Sequence, residues 1–439
     1  MTIQETASQE APFAIHPAGA RSNPCLDYVQ KWTDYADMLD RLTIVPERLR
    51  DGMLQSDATA NFATEEQARL VQVVLSAIYY STLERNPADF AFQNLLLAAS
   101  NVLADTEDAH GRRIPTLPVS VPNAGARGFF VSIPAEMGQH TLVRAIEDIV
   151  GKGVAAFQVT TPSGMPIRVN RLKSLTVPFP SNASPKRFVN TLLHELDDAI
   201  GTGYANDATG PFHRNSSDCA IALSAMGIQQ NLGLLIVPFI TAGAMAQSAS
   251  GVLLGELSQF ATLTGIPVLC LGSPGAAAAL HEHGSSAAAL YSMGGTSIPA
   301  FRVDEPQWRL WAEYLWDTYF EPVFTHGIPD WFTENLWSHT LGHTDAATKL
   351  SRYVFSLRTT IPAGPLSQEL LSELAEKALV LLRAPLNALR LTRQTSRASR
   401  AGVRRFADWL PLDVSILAIP SVTESYGDTL SLPLVGEAT

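Results

Sequence analysis

Between Gly128 and Val150 the chain runs apolar, breaks, then turns amphipathic: GFFVSIPAEMGQHTLVRAIEDIV. The apolar run predicts a buried strand over Phe129–Ile133. The three- and four-residue spacing after it predicts a helix over Thr141–Val150. Leu172–Phe179, Leu232–Val237 and Val268–Gly272 read as three more buried strands, because strands covered on both faces are continuously apolar. Lys186–Ile200 reads as a helix stopped at Gly201. Strands alternating with helices predict an α/β class with a parallel sheet and flanking helices, spanning residues 111–300. Upstream, Asp27–Leu42 and Thr64–Leu83 carry helical spacing and Arg85-Asn86-Pro87 ends the second. Residues 23–110 are therefore expected to be a helical region behind a disordered lead, 1–22. Downstream, Glu305–Leu357 is helical and aromatic, with Trp308, Trp311, Trp316, Trp331 and Trp337 read as core. With a further amphipathic helix over Ser367–Leu382, it makes a C-terminal helical region over 301–385. A basic segment and tail, 386–439, closes the chain.

The chain has 439 residues, 46% hydrophobic and 17% charged, enough for a large core. A formal net charge of −11 argues against coating nucleic acid non-specifically, so any DNA contact must be local. Cys25, Cys219 and Cys270 are odd in number and far apart, which fits neither a disulfide framework nor a metal site. The start, MTIQETASQEAPF, has no basic-then-apolar signal pattern, and the expected compartment is the cytoplasm. Cys219–Gly255 contains no charged residue or His. Gln229, Gln230, Asn231 and Pro238 split it, so a helix, a buried strand and a loop are expected there, not a membrane span.

A strand, a tight turn and a helix are the layout of a phosphate-binding loop. The working pattern is GxxxxGK[ST]: glycines let amides wrap phosphate, the Lys neutralises charge and the hydroxyl ligates magnesium. Gly138 holds the second glycine position. Ile133 stands at the first, Gln139 at the Lys and His140 at the hydroxyl, followed by Thr141. Ligands in parallel sheets sit beyond the carboxyl ends of the strands. Ile133–His140, Pro238-Phe239 and Gly272-Ser273 are expected to converge there.

From about Asn23 to about Arg405 the chain resembles the TnsC/TniB-type AAA+ ATPases, regulators that connect target selection to the transposase in bacterial transposons. The resemblance is carried by Asn86-Pro87, by PFPSNASPKRFVNTLLHELDDAIGTGY (Pro178–Tyr204), and by GIPVLCLGSPGA (Gly265–Ala276), whose Ser273 stands at the sensor position. Asp304-Glu305-Pro306, Leu341-Gly342 and Lys349 extend it into the helical lid. The resemblance implies an AAA+-like fold, an ATP and magnesium site, oligomers (homo- or hetero-), and DNA, target-selection proteins and a transposase as partners. The departures are specific. Pro238 and Phe239 occupy the positions of the magnesium Asp and the catalytic Glu, and His283–Ser292 contains no arginine to serve as a finger. An arginine finger alone is worth roughly 10³–10⁵ in rate. The resemblance thus implies a degenerate site with no catalytic residue and no bound cofactor, formed by Ile133, Gly138, Gln139, His140, Thr141, Pro238, Phe239 and Ser273. A divergent ATPase with substitute residues, and a scaffold unrelated to transposition, are the other classes the sequence leaves open.

His339 and His343 have metal-ligand spacing but lack further ligands at fitting offsets, and His194-Glu195 lacks the second His of a zincin, having Asp198 there. No metal site is expected. Ser273 fails the GxSxG elbow because Leu271 stands at the first glycine. The stretch Arg383–Arg405 holds seven arginines and no acid. Arg390, Arg393, Arg397, Arg400 and Arg404 step by three or four and are expected on one helical face, against DNA or a partner protein. Lys186 and Arg187, at a helix start, are a second candidate contact.

Overall fold

The computed structural model describes residues 23–29, 34–44, 60–104, 120–121, 124–160, 164, 166–206, 216–361, 364–394, 397–417 and 429–431. A single turn at Pro24–Tyr28 and helices α1 (Tyr35–Leu42), α2 (Glu65–Glu84) and α3 (Phe90–Leu103) precede the sheet. Next come β1 (Gly128–Ser132), α4 (Gln139–Val150), β2 (Val154–Thr160), β3 (Pro166–Leu172), β4 (Leu175–Thr176), α5 (Pro185–Ile200) and α6 (Ser216–Gln229). The sheet is completed by β5 (Leu235–Ile240), α7 (Ala242–Met245), α8 (Ser250–Thr264), β6 (Val268–Gly272), α9 (Pro274–His283) and β7 (Gly295–Ser297). The rest is helical: α10 (Pro306–Leu315), α11 (Phe332–Thr340), α12 (Thr344–Ser356), α13 (Gln368–Ala378) and α14 (Arg383–Gln394). Strand β8 (Arg397–Ser399), α15 (Arg400–Arg405), α16 (Leu412–Leu417) and β9 (Thr429–Ser431) end the described chain.

The α/β class expected from the sequence, a parallel sheet with flanking helices, is the one adopted. Five parallel strands lie in the order β4-β5-β6-β1-β7. The chain leaves β1 for the far edge, returns strand by strand to β6, then crosses β1 to place β7 on the other side. The order therefore reverses at β1, and the crevice beyond its carboxyl end is where such sheets bind ligands.

Alternation along the strands assigns the two faces. Phe129, Val131, Ile236, Leu269 and Leu271 pack with α1, α2, α4 and the C-terminal helices. Phe130, Leu235, Val237, Val268 and Cys270 pack with α5, α6, α8 and α9. Trp308, Trp311 and Trp316 are buried, as the aromatic spacing predicts. Trp316 stacks on Phe320 at 5.6 Å and meets Phe332 edge-on at 4.9 Å. No helix among the described residues is long and apolar enough to cross a membrane.

Several expectations are corrected. The Leu172–Phe179 strand is two objects: β3 pairs antiparallel with β2 outside the main sheet, and the chain joins the sheet only at Leu175. It then follows β5 through Val177 N–H to Ile236 O (2.8 Å) and Phe179 N–H to Pro238 O (2.9 Å). The third strand begins at Leu235 rather than Leu232, because Asn231 in left-handed backbone and Gly233 turn the chain first. Asp27–Leu42 is not one helix, since Asn23 and Asp34 each cap a separate turn. The arginines at 390–404 do not share one helical face: α14 stops at Gln394, and Arg397 lies in β8, paired with Ser431. The lead 1–22 lies outside the described residues.

Candidate functional site

The loop after β1 has the outline the sequence predicts. Ile133 is buried and its N–H reaches Gly272 O at 2.8 Å, tying the start of the loop to the end of β6. The chain turns through Pro134–Met137, and Gly138, at φ 68°, caps α4. Left-handed backbone there suits glycine. Glu136 is also left-handed, at φ 61°, which is uncommon for a side-chain-bearing residue and must be held from outside. It is: the Asp345 N–H donates to Glu136 O at 3.0 Å, and the Lys349 ammonium pairs with the Glu136 carboxylate.

Polar groups of this chain occupy the loop. Gly138 N–H donates to Asp345 Oδ2 at 3.2 Å. Ala135 N–H donates to the Asp408 carbonyl at 2.8 Å. His343 is fully buried, its Nδ1 lies 2.8 Å from the Ala135 carbonyl, and its ring sits 5.2 Å from that of Trp409. Burial pushes the imidazole down to about 4, so at neutral pH it is uncharged with its proton on Nδ1, facing that carbonyl. Burial, then the neighbouring Glu136, pushes the Asp345 carboxyl above its ordinary value. A loop built to wrap an anion thus has the carboxyl groups of Glu136 and Asp345 against it, with the Gly138 amide turned to Asp345 and the Ala135 amide to the Asp408 carbonyl.

The other expected residues meet here. A bulge between Val237 and Ile240 carries Phe239, at φ 66° and partly exposed, out of the ladder. Its ring faces His140 with centroids 6.1 Å apart. Neither the phenyl nor the Pro238 ring offers a lone pair to ligate magnesium or take a proton. Ser273 N–H donates to Ile240 O at 2.8 Å, and its Oγ accepts from Ala276 N–H at 3.1 Å as the cap of α9. The same hydroxyl donates to Asp408. Thr141 is buried, its N–H bonded to Gly138 O at 2.9 Å, and Gln139 Nε2 is buried without a partner among the described residues. Between loop and lid lies a cavity of about 30 Å³, bordered by Asn61, Gly138, Thr141, Trp311, Tyr314 and Thr344. That is room for about one water molecule.

Asp345 and Asp408 were not foreseen from the sequence, and His343 only as half of a histidine pair with metal-ligand spacing. Asp345 could have been flagged as an acid in the first turn of a helix. Asp408 has no local signal, since its partners are more than 130 residues away.

The candidate DNA contacts do not form one surface. The Arg390 guanidinium donates to Ser338 O (3.0 Å) and His339 O (3.2 Å) at the end of α11. Arg393 lies over the Trp337 ring at 4.9 Å. Both belong to the lid, where helix-end carbonyls and an aromatic face suit a guanidinium. Arg404 is exposed on α15, as are Lys186 and Arg187 on α5. The side chains of Arg397 and Arg400 lie outside the described residues. Leu341, left-handed at φ 54°, ends α11 between His339 and His343, so they are not helical neighbours. Among the described residues no group of three metal-binding side chains occurs.

No family model matches the sequence, and no curated protein matches it. Among solved structures, the chain is similar to the Walker-type ATPase PABY2304 of Pyrococcus abyssi at 14% identity and a TM-score of 0.40, over 67% of this chain and 83% of that one. It is also similar to PCH-2 of C. elegans at 9% identity and a TM-score of 0.32, over 76% and 83% of the two chains.

Proposed function

We propose that this chain is a non-catalytic AAA+-like module whose nucleotide site has become a structural joint between core and lid. The observation that carries this reading is the Gly138 amide turned to the Asp345 carboxylate, in a loop that also meets Glu136 and Asp408. Two like unit charges about 4 Å apart repel by about 4 kcal/mol at an effective dielectric near 20. A triphosphate entering this loop would meet that repulsion without the Lys that normally offsets it. Pro238 and Phe239 add no group able to activate water.

The role that follows is assembly. By the order of its sequence motifs, the module would bridge DNA or target-selection factors and a transposase, or pair with an active paralogue in an oligomer. Lys186 and Arg187 are exposed on α5 and offer one surface for such contacts, whereas Arg390 and Arg393 are held in the lid. ATP turnover by the purified chain should stay at background. Turnover at an ordinary ATPase rate, about 1 s⁻¹ or more, abolished by substituting Gln139 or His140, would sink the proposal.

A further inference from the structure

Four consecutive residues from the far end of the chain sit in the crevice at the carboxyl ends of β1, β5 and β6. Asp408 touches all three strand-end segments. Its carbonyl accepts from Ala135 N–H after β1 (2.8 Å), and its Oδ1 accepts from Ala242 N–H after β5 (2.8 Å) and from the Ser273 hydroxyl after β6. Trp409 lies against His343, the lid residue that holds the Ala135 carbonyl. Leu410 is buried. A Cβ on Gly275 would stand 2.7 Å from the Ala407 Cβ and 2.8 Å from the Ala242 Cβ, so the strap packs tightly where α7 and α9 meet. The Ser415 hydroxyl donates to the Ala407 carbonyl at 3.1 Å and fixes the far side of the segment.

We infer that the crevice is a peptide-binding site and that Ala407-Asp408-Trp409-Leu410 is its built-in ligand, a strap that holds lid to core in place of any small molecule. The inference rests on the proposed function in one respect: it takes the crevice as closed to nucleotide. The carboxylate takes the amide and the hydroxyl of two separate strand ends, and the indole takes the lid. A charged acceptor shared by two donors is among the stronger hydrogen-bond arrangements. With the strap released, His343 on the Ala135 carbonyl, Asp345 on the Gly138 amide and the Glu136 carbonyl, and Lys349 on the Glu136 carboxylate are the polar links that remain between lid and loop among the described residues.

The test uses the full chain. Hydrogen exchange is followed at residues 133–142 and 342–349 in wild type, Asp408→Ala, Asp408→Asn and Gly275→Ala, with urea midpoints recorded alongside. Asp408→Ala should speed exchange in both segments about ten- to a hundredfold, the range for losing a hydrogen bond to a charged group. Asp408→Asn keeps an acceptor oxygen and should lie nearer wild type. Gly275→Ala removes no hydrogen-bonding group and favours its helix, yet should release the strap by steric clash. It tests the idea even if Asp408→Ala does not fold. Exchange within twofold of wild type in both segments, for Asp408→Ala and Gly275→Ala alike, would overturn the strap. ATP binding by wild type would instead count against the proposed function, so the two failures are told apart.

Discussion

Glu256→Gln is expected to stabilise the protein at pH 8 by up to about 3 kcal/mol and to change little near pH 4. Glu256 lies on α8, only 7% exposed, and neither carboxyl oxygen has a hydrogen-bond partner among the described residues. Burial pushes its carboxyl from 4.5 up to about 7. The folded form therefore holds the proton more tightly than the unfolded one. The benefit is complete below the ordinary carboxylate value and is lost as pH rises through about 7. At about 1.36 kcal/mol per unit, the ionised group at pH 8 costs about 3 kcal/mol, an order-of-magnitude figure. Glutamine keeps the shape and cannot ionise. Urea unfolding of both proteins at the two pH values checks this, and a difference independent of pH would contradict it.

Gly342→Ala is expected to cost about 2–5 kcal/mol. Gly342 is left-handed, at φ 78°, directly after left-handed Leu341. A Cβ there would stand 1.9 Å from Phe301 O. That oxygen has little freedom to move, because Trp337 Nε1–H donates to it at 2.8 Å and Phe301 N–H donates to Gly342 O at 3.2 Å. Left-handed backbone costs an alanine about 1–2 kcal/mol, and overpacking about 1–3 more. Gly201 is the control: at φ 72° it caps α5 with open space around it, so Gly201→Ala should cost about 1–2 kcal/mol. Equal losses for the two variants in denaturant unfolding would refute the steric account.

The parts of the fold with local causes were legible in the sequence. β6 is a continuous apolar run and matches to the residue. α5 is bounded by the Ser184 cap with Pro185 and by Gly201, so its ends could be read directly. The convergence of Ile133–His140, Phe239 and Ser273 follows from strand ends in a parallel sheet, and it occurs. The β2–β3 hairpin was not legible, because its faces are only partly buried and its alternation is weak. β7 is three residues of Gly, Thr and Ser, with no apolar signal. The arginine spacing misled because its period runs on past Gln394, where α14 stops and pairing with β9 takes over. In the site, the sequence exposes the missing Lys, hydroxyl and carboxylates. That groups of this chain fill the loop instead depends on the Asp345 carboxyl and the Asp408 carbonyl, whose partners are distant in sequence.

On the proposed function, the chain's own acids and its packed lid exclude nucleotide from the loop after β1. Titration calorimetry of the full chain with ATP and magnesium tests it most directly. Losing the Lys contact alone, at about 1.5–3 kcal/mol, should weaken binding roughly tenfold to a hundredfold, and the carboxyl groups weaken it further. No saturable heat is expected up to about 1 mM ATP, the region of about −4 kcal/mol in binding free energy. A dissociation constant in the micromolar range, weakened by substituting Gly138 or Thr141, would contradict it.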